Sequence, residues 1–221
     1  MGSLTYNISL YSCQGIRDVS ALGGVHTLSF YDCQGITDVS ALGGVRNLIL
    51  ENCQKVLGRV GFRRSPHSQF YDCQRIRDVS ALGGVHNLSL ENWKKITDVS
   101  ALGGVHNLSL YVCRGITDVS ALRGVHNLTL EGCSGIRDVS AFGVVHNLSL
   151  ENFQRIADVS ALGGVYNLSL HGCDWITDVL ALRGVRNLSL DRCDRITDVT
   201  ALGEVYNLSI HHCYGVTDVS A

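Results

Sequence analysis

The repeating unit of this chain is clearest over residues 85–104, which read Val-His-Asn-Leu-Ser-Leu-Glu-Asn-Trp-Lys-Lys-Ile-Thr-Asp-Val-Ser-Ala-Leu-Gly-Gly. No insertion or deletion shifts the register of the twenty-residue unit, as stacked coils require, because each coil must present the same face to its neighbours. The chain is therefore predicted to be a solenoid. The Asp-Val-Ser-Ala-Leu segment recurs, with minor changes, from Asp18, Asp38, Asp78, Asp98, Asp118, Asp138, Asp158, Asp178, Asp198 and Asp218.

Each part of the unit predicts a local structure. Residues 88–90 alternate apolar, polar and apolar, which is typical of a short strand, and one strand per coil stacks into a parallel sheet. Asp98 is predicted to cap a single helical or 3₁₀ turn over residues 99–102, and the glycine pair that follows lets the chain reverse. The leucines and valines are expected to point inward and to be buried only when coils stack.

The unit also resembles a known repeat. Residues 105–113 read Val-x-x-Leu-x-Leu-x-x-Cys, which resembles the leucine-rich-repeat signature. The segment Ile-Thr-Asp-Val-Ser-Ala-Leu at residues 36–42 and 96–102 resembles internalin-type repeats, and the cysteine is similar to that in the repeats of F-box substrate receptors. The resemblance implies one leucine-rich-repeat domain over residues 1–221, an α/β solenoid of about eleven twenty-residue units. Its parallel sheet would line the concave face of a horseshoe, with short 3₁₀ or loop turns on the convex face.

One unit is irregular at residues 57–70, where the pattern breaks without a change in length. Reading a repeat-like coding sequence one base early reproduces residues 58–69, which indicates a pair of compensating frameshifts. The shift places Arg59, Ser65 and Ser68 where neighbouring units have valine, valine and leucine. Because a buried unpaired arginine is costly, we expect this coil to bulge outward or rearrange. The exposed cations would form a basic patch of Lys55, Arg59, Arg63 and Arg64.

All nine cysteines occupy one column of the repeat, which Trp93 and Phe153 share. Since neither Trp nor Phe can ligate a metal or form a disulfide, we expect an apolar interior column of free thiols. Coils about 4.8 Å apart would also strain a disulfide, whose Cβ atoms lie about 3.8 Å apart. Free thiols favour a reducing, cytoplasmic location. The cysteines are Cys13, Cys33, Cys53, Cys73, Cys113, Cys133, Cys173, Cys193 and Cys213.

Two further columns need an interpretation. Asn-x-Ser/Thr tripeptides recur on the predicted strands, where glycans would bury the concave face, so we interpret them as by-products of the repeat.

A histidine column predicts a half-exposed edge rather than a metal ladder, and its stacked imidazoles would repel when protonated and mildly destabilise the fold in acid. This column contains His26, Arg46, His86, His106, His126, His146, Tyr166, Arg186 and Tyr206.

Composition and motifs argue against several functions. Eighteen Lys and Arg against 20 Asp and Glu give a net charge of −2, which favours neither nucleic acid nor an anionic membrane. No signal peptide and no run of eighteen apolar residues is present, so no membrane insertion is expected. Ten copies of one aspartate fit capping better than catalysis. We therefore expect neither an enzyme, nor a cofactor, nor a metal site.

Specificity should reside in a column that varies, and the column after the second leucine combines tyrosines with acids. Tyrosine offers large contact area and the acids suit a basic partner, so we predict a non-catalytic protein–protein interaction scaffold, its partner unidentified. The alternatives are that this column only solvates an exposed sheet, or that the chain is a secreted or surface adhesion module of the internalin type. The column is Tyr11, Tyr31, Glu51, Tyr71, Glu91, Tyr111, Glu131, Glu151, His171, Asp191 and His211, extended by Asp32, Asn52, Asp72, Asn92, Arg192 and His212.

The ends carry no specialised caps. Leu4 begins within a unit, and Ala221 stops before the leucine that should follow. End coils are therefore expected to expose apolar side chains. Either the chain is a fragment of a longer array, or its ends self-associate end to end or fray.

Overall fold

A computed structural model describes residues 6–56, 67–73, 75–76 and 78–219, with the side chain of Ala81 excepted. In these residues the chain forms one sheet of eleven parallel strands that lie in sequence order. One strand per coil in an unbroken parallel sheet confirms the predicted solenoid. The strands are β1 (Asn7–Tyr11), β2 (Thr27–Tyr31), β3 (Asn47–Glu51), β4 (His67–Tyr71), β5 (Asn87–Glu91), β6 (Asn107–Tyr111), β7 (Asn127–Glu131), β8 (Asn147–Glu151), β9 (Asn167–His171), β10 (Asn187–Asp191) and β11 (Asn207–His211).

The strands pair without any shift of register. Leu108 of β6 lies opposite Leu88 and Leu128, twenty residues away on either side. The irregular unit keeps this register where it is described, because Ser68 lies between Leu48 and Leu88 and is 1% exposed. The predicted outward bulge, the exposed Arg59 and the basic patch lie largely outside the described residues.

The core follows the alternation of each strand. The second and fourth residues point inward, and in β6 these are Leu108 and Leu110, which are at most 1% exposed. An isoleucine, a valine and a leucine from the rest of the coil complete the packing, as at Ile116, Val119 and Leu122. Since these side chains recur in the regular coils, each of those coils buries its apolar residues against the next one.

Short 3₁₀ helices lie on the wall opposite the sheet. Each begins two residues after the repeated aspartate, whose side chain accepts a hydrogen bond from the first helical N–H, 2.8 Å from Asp98 Oδ1 to Ser100 N. The same bond forms at the eight other described aspartates from Asp18 to Asp198. The aspartate thus caps the first helical N–H as predicted, but the N-cap position itself is the following valine and the helix begins one residue later than expected. In the described residues the helices are Ser20–Leu22, Ser40–Gly44, Ser80–Leu82, Ser100–Gly104, Ser120–Gly124, Ser140–Val144, Ser160–Gly164, Leu180–Gly184 and Thr200–Leu202.

The cysteine column forms a ladder of buried thiols. The Cys133 thiol donates to the carbonyl of Leu110 in the preceding coil, over 3.4 Å, and the other buried cysteines repeat this contact. All nine cysteines are unpaired. Burial raises the pKa of the Cys53 thiol to about 11 and that of Cys193 to about 12, so both are protonated donors at neutral pH. Trp93 is buried in the same column, as expected.

A left-handed residue follows every strand. Val112, for example, has a φ of 54° and Gly132 a φ of 59°. This conformation turns the chain out of the sheet, and the Val112 N–H then donates to the Glu131 carbonyl of the next coil over 2.7 Å. The residues are Ser12, Asp32, Asn52, Asp72, Asn92, Val112, Gly132, Asn152, Gly172, Arg192 and His212. Within the described residues, no helix is long and apolar enough to cross a membrane.

Candidate interaction face

The predicted binding column is one row of side chains at the carboxyl ends of the strands. Each of its eleven members is the last residue of its strand, and neighbours pair directly, as Glu131 does with Glu151. The first, third and fifth residues of a strand point away from the core, so the row shares the outer face of the sheet with an asparagine and a serine column. No member of the row is buried. The structure therefore brings all eleven predicted residues together as a continuous accessible strip.

Tyrosines dominate the first part of this strip. The rings of Tyr11 and Tyr31 stack with centroids 4.6 Å apart and planes 6° apart. The Tyr71 hydroxyl donates to Gln69 Oε1 over 3.4 Å. Burial, followed by the charges of Glu91 and other neighbours, raises the pKa of Tyr71. These tyrosines thus offer large, partly fixed apolar surfaces, each with a hydroxyl that can hydrogen-bond.

Charge changes along the strip. Glutamates stand at the ends of β3, β5, β7 and β8, while the carboxylate of Asp191 is close to two histidines. Its oxygens lie 3.7 Å from His171 Nδ1 and 3.1 Å from His212 Nδ1. The hydrogen bond from His212 lowers the pKa of the Asp191 carboxyl. Protonation of these histidines would offset the aspartate, so the acidic part of the strip is centred on β3–β8.

The left-handed turn residues beside the strip form a polar network near the tyrosines. Asp32 Oδ1 accepts hydrogen bonds from Asn52 Nδ2 at 3.0 Å and from Gln34 Nε2 at 2.9 Å. Gln54 Nε2 continues the network to Asp72 Oδ2 at 3.2 Å. These bonds hold the border of the strip in one arrangement, which reduces the entropy lost when a partner binds.

The structure adds a feature that the sequence analysis missed, an open trough of about 660 Å³ over the outer face of β7–β11. It lies over the asparagine and serine columns beside the predicted strip. The signal that could have identified this trough is the small serine or threonine at the third position of each strand from β7 to β11, between the longer side chains of the asparagine column and of the strip. Its lining is Asn127, Leu128, Thr129, Asn147, Leu148, Ser149, Asn167, Leu168, Ser169, Asn187, Leu188, Ser189, Tyr206, Asn207, Leu208 and Ser209.

The asparagines of the trough are linked by their side chains. Asn147 Nδ2 donates to Asn127 Oδ1, and the same bond joins each successive pair from Asn87 to Asn207. From Asn127 to Asn187, each ladder amide uses one of its two N–H groups and one of its two oxygen lone pairs in these bonds. These asparagines also begin the Asn-x-Ser/Thr tripeptides, so an attached glycan would replace one of the N–H groups of the ladder.

The histidine column borders the face on its other side, at the amino ends of the strands. His106, His126 and His146 are exposed, as an edge position predicts. Among the described residues, no group of three or more His, Cys, Asp or Glu side chains is placed to hold a metal ion.

Together these features define the class of the fold. Parallel strands spaced twenty residues apart, short 3₁₀ helices opposite them and a ladder of asparagine amides are those of a leucine-rich-repeat solenoid.

Comparisons with known proteins gave structural likenesses only. No protein-family model matches the chain, and no curated protein matches it in sequence. A crystal structure of internalin C2 from Listeria monocytogenes is 23% identical with a TM-score of 0.41, covering 69% of this chain and 64% of that one. The functional domain of InlJ from the same organism, described as including a cysteine ladder, is 14% identical with a TM-score of 0.43, covering 96% and 66%. The plant peptide hormone receptor RGFR1 in complex with RGF2 is 13% identical with a TM-score of 0.33, covering 94% and 52%. The chain thus spans less than two thirds of the length of each of these structures.

Proposed function

We propose that the chain is a non-catalytic scaffold that binds a protein partner across the outer face of its sheet. One observation carries this proposal: eleven coils each contribute one unburied side chain to a single row that runs along the solenoid. A row fixed by an in-register sheet presents a large surface with little conformational freedom to lose on binding.

The chemistry of the row indicates the kind of partner. Tyr31, Tyr71 and Tyr111 offer large contact areas at a low entropic cost. Glu131 and Glu151 lie side by side on neighbouring strands, with no basic residue between them in the strip. We therefore propose a partner with basic side chains on its contact surface, whose association would be steered by charge and weakened by salt.

The affinity test compares two variants of the whole chain. In the first, Tyr31, Tyr71, Tyr111 and Glu131 are replaced by alanine. In the second, four exposed residues of the other loops, Thr97, Arg137, Arg155 and Thr177, are replaced by alanine. Both are checked for an unchanged melting transition and then used, beside the wild type, to capture proteins from a lysate.

We expect the strip variant to lose proteins that the wild type and the loop variant both retain, and retention to fall as salt rises. Capture that is equal in all three would move the binding surface away from the strip. Loss in the loop variant alone would place it on the opposite side of the coil.

We also propose a cytoplasmic location, which the nine unpaired cysteines support because an oxidising compartment favours disulfides. Mass spectrometry of the protein from its native source tests this. Free thiols and unmodified asparagines are expected, whereas disulfides or glycans on the tripeptides would favour the adhesion module instead.

A further inference from the structure

The histidine column is a continuous stack of rings. The imidazoles of His86, His106, His126 and His146 lie face to face, with centroids 4.7 Å apart and planes 7–11° apart. Tyr166 extends the stack at the same 4.7 Å spacing. Since each ring covers the face of the next, the ring edges, with their nitrogen atoms, are what the stack offers to a partner.

The stack continues into a guanidinium group. The Arg186 guanidinium carbon lies 5.8 Å from the centroid of Tyr166 and 4.4 Å from that of Tyr206. The order is thus four imidazoles, a phenol, a guanidinium and a second phenol on seven successive coils. All seven side chains are exposed.

We propose that this stack, from His86 to Arg186, is a second interaction surface that binds an acidic polypeptide segment as the pH falls below neutral. It lies on the opposite border of the sheet from the acidic strip, and the inference goes beyond the proposed function because it assigns a separate partner of opposite charge.

The scaffold fixes the spacing of the backbone that carries the stack. The backbone of the column is hydrogen-bonded from coil to coil, as from His126 N to His106 O over 3.2 Å. Ring spacing therefore follows the spacing of the coils. Desolvation, and then the neighbouring His126 and His86, lower the pKa of His106. A bound anion would offset this repulsion, so binding and proton uptake must favour each other.

The surroundings of the stack are also basic. The two loop columns next to it contribute Arg123 and Arg183, and Glu204 is their one carboxylate in the described residues. On the strand side the stack meets the asparagine ladder, where His67 Nε2 lies 3.2 Å from Asn87 Nδ2 and is the one titratable group of this side in the described residues. Tyr166 and Tyr206 are the other titratable groups within the stack. The coil that precedes His86 lies largely outside the described residues. At neutral pH the arginines alone give a weak positive field beside the stack. Protonation of the imidazoles would strengthen this field.

The asparagine trough indicates why the partner would be a polypeptide. It lies directly beside the stack and is lined by side-chain amides such as Asn127 and Asn147. Amides, which carry both N–H donors and a carbonyl acceptor, suit the alternating donors and acceptors of a peptide backbone. A long polyanion such as nucleic acid would extend past the trough toward the glutamates of the strip on the far border, which would repel it.

The test measures binding of a fluorescent oligoglutamate peptide to the whole chain by anisotropy at about pH 7.5 and about pH 5.5, where histidine changes charge and glutamate does not. We expect affinity to rise at least about tenfold at the lower pH, a typical size for coupling between two sites. The variant H86Q/H106Q/H126Q/H146Q should lose this rise. The matched variant H26Q, which removes a histidine at the same position of the repeat but outside the stack, should keep it.

A single substitution, H126Q, interrupts the stack with less risk to folding and should reduce the rise partially. Affinity that does not change with pH, or a rise that survives in the quadruple variant or disappears in H26Q, would overturn the proposal. A single-stranded oligonucleotide of equal charge is the second probe, and tighter binding of this probe than of the peptide would also overturn it.

Discussion

At the scale of the residue, the left-handed position after each strand separates favourable from unfavourable side chains. Asn52, Asn92 and Gly132 suit this conformation, because asparagine and glycine enter it at little cost. Val112 has the same positive φ with a branched Cβ, which places strain on that turn. The conformation belongs to the repeat, so the strain at Val112 is tolerated rather than relieved.

Replacing Val112 with asparagine is therefore expected to raise the free energy of unfolding by about 1 kcal/mol, the lower end of the cost of a strained backbone residue. The measurement is the urea dependence of unfolding for both proteins. The reverse change, Gly132→Val, is the matched control and should destabilise the chain. A loss of stability in Val112→Asn would mean that the valine side chain makes a contact worth more than the strain.

The capping aspartates make a second residue-scale prediction. Asp98→Ala should lower the denaturation midpoint, because the Ser100 N–H loses its acceptor. Asp98→Asn should retain most of the wild-type stability, because its side-chain oxygen can still accept this hydrogen bond. Thr97→Ala, an exposed neighbour without this role, should leave the midpoint unchanged.

The pH dependence of this cap follows from the Asp98 pKa, which the hydrogen bonds from Ser100 lower. A carboxyl with a lowered pKa in the folded state stabilises the fold above its unfolded value, about 3.9, and this contribution is lost as the pH falls through the folded pKa. The difference in the free energy of unfolding between the wild type and Asp98→Asn should hence change only below about pH 4. A difference that varied between pH values near neutrality would contradict this assignment.

At the scale of the element, columns rather than single coils carry the stabilising contacts. The thiol ladder and the asparagine ladder both bond residues twenty positions apart, so each unit is completed by its neighbour. Trp93 replaces a cysteine in the first of these ladders. Its ring packs edge-on against that of Phe70, with the ring centroids 5.6 Å apart. Its Nε1 has no hydrogen-bond acceptor among the described residues. Apolar volume can therefore substitute for the thiol, at the cost of one hydrogen bond.

The stacked histidines predict how stability depends on mild acid. The pKa of His106 is lowered in the fold, so the unfolded chain binds protons more readily. Stability is full above the unfolded histidine pKa of about 6.5 and declines as the pH falls below it. The melting temperature should thus be lower at about pH 5.5 than at about pH 7.5.

The quadruple glutamine variant of the stack separates this effect from other groups. Its melting temperature should change less between the two pH values than that of the wild type. Equal changes in both proteins, or a flat wild-type curve, would show that the stack does not contribute.

At the scale of the whole molecule, contacts between neighbouring coils leave the last described coil only half covered. Leu208 of β11 is 39% exposed, whereas Leu188 in the equivalent position of β10 is 2% exposed. Tyr214 and Val219 nearby are 81% and 72% exposed. An unpaired strand edge with apolar side chains is a template for pairing with another chain.

Where no further coil covers this edge, copies of the chain are expected to associate end to end, β11 of one against β1 of another, with an apparent mass that rises with concentration in light scattering. Charges at the exposed end, in Tyr214→Lys/Val219→Lys, should reduce the rise. Val144→Lys is the control, because Val144 is 75% exposed but lies in the middle of the solenoid. A mass that stays monomeric over the series, or that Val144→Lys reduces equally, would exclude this mode of association.

The sequence alone determined the parts of this protein that depend on the period. An uninterrupted twenty-residue repeat implies one strand per coil and a common register, so the buried leucines, the capping aspartates and the row from Tyr11 to His211 could all be placed beforehand. Such features are local or follow from stacking identical units, and they need no knowledge of side-chain rotamers.

The tertiary structure alone decided the features that depend on distances between coils. The face-to-face stack of His86 with His106, the amide ladder, the trough over β7–β11 and the pairing of Asp191 with His212 are contacts between side chains about twenty residues apart. The repeat places these residues in neighbouring coils, but their rotamers and the coil spacing determine whether they stack, bond or enclose a groove. For that reason, the sequence predicted the outer face of the solenoid, and only the packed structure defined the ring stack, the amide ladder and the trough on it.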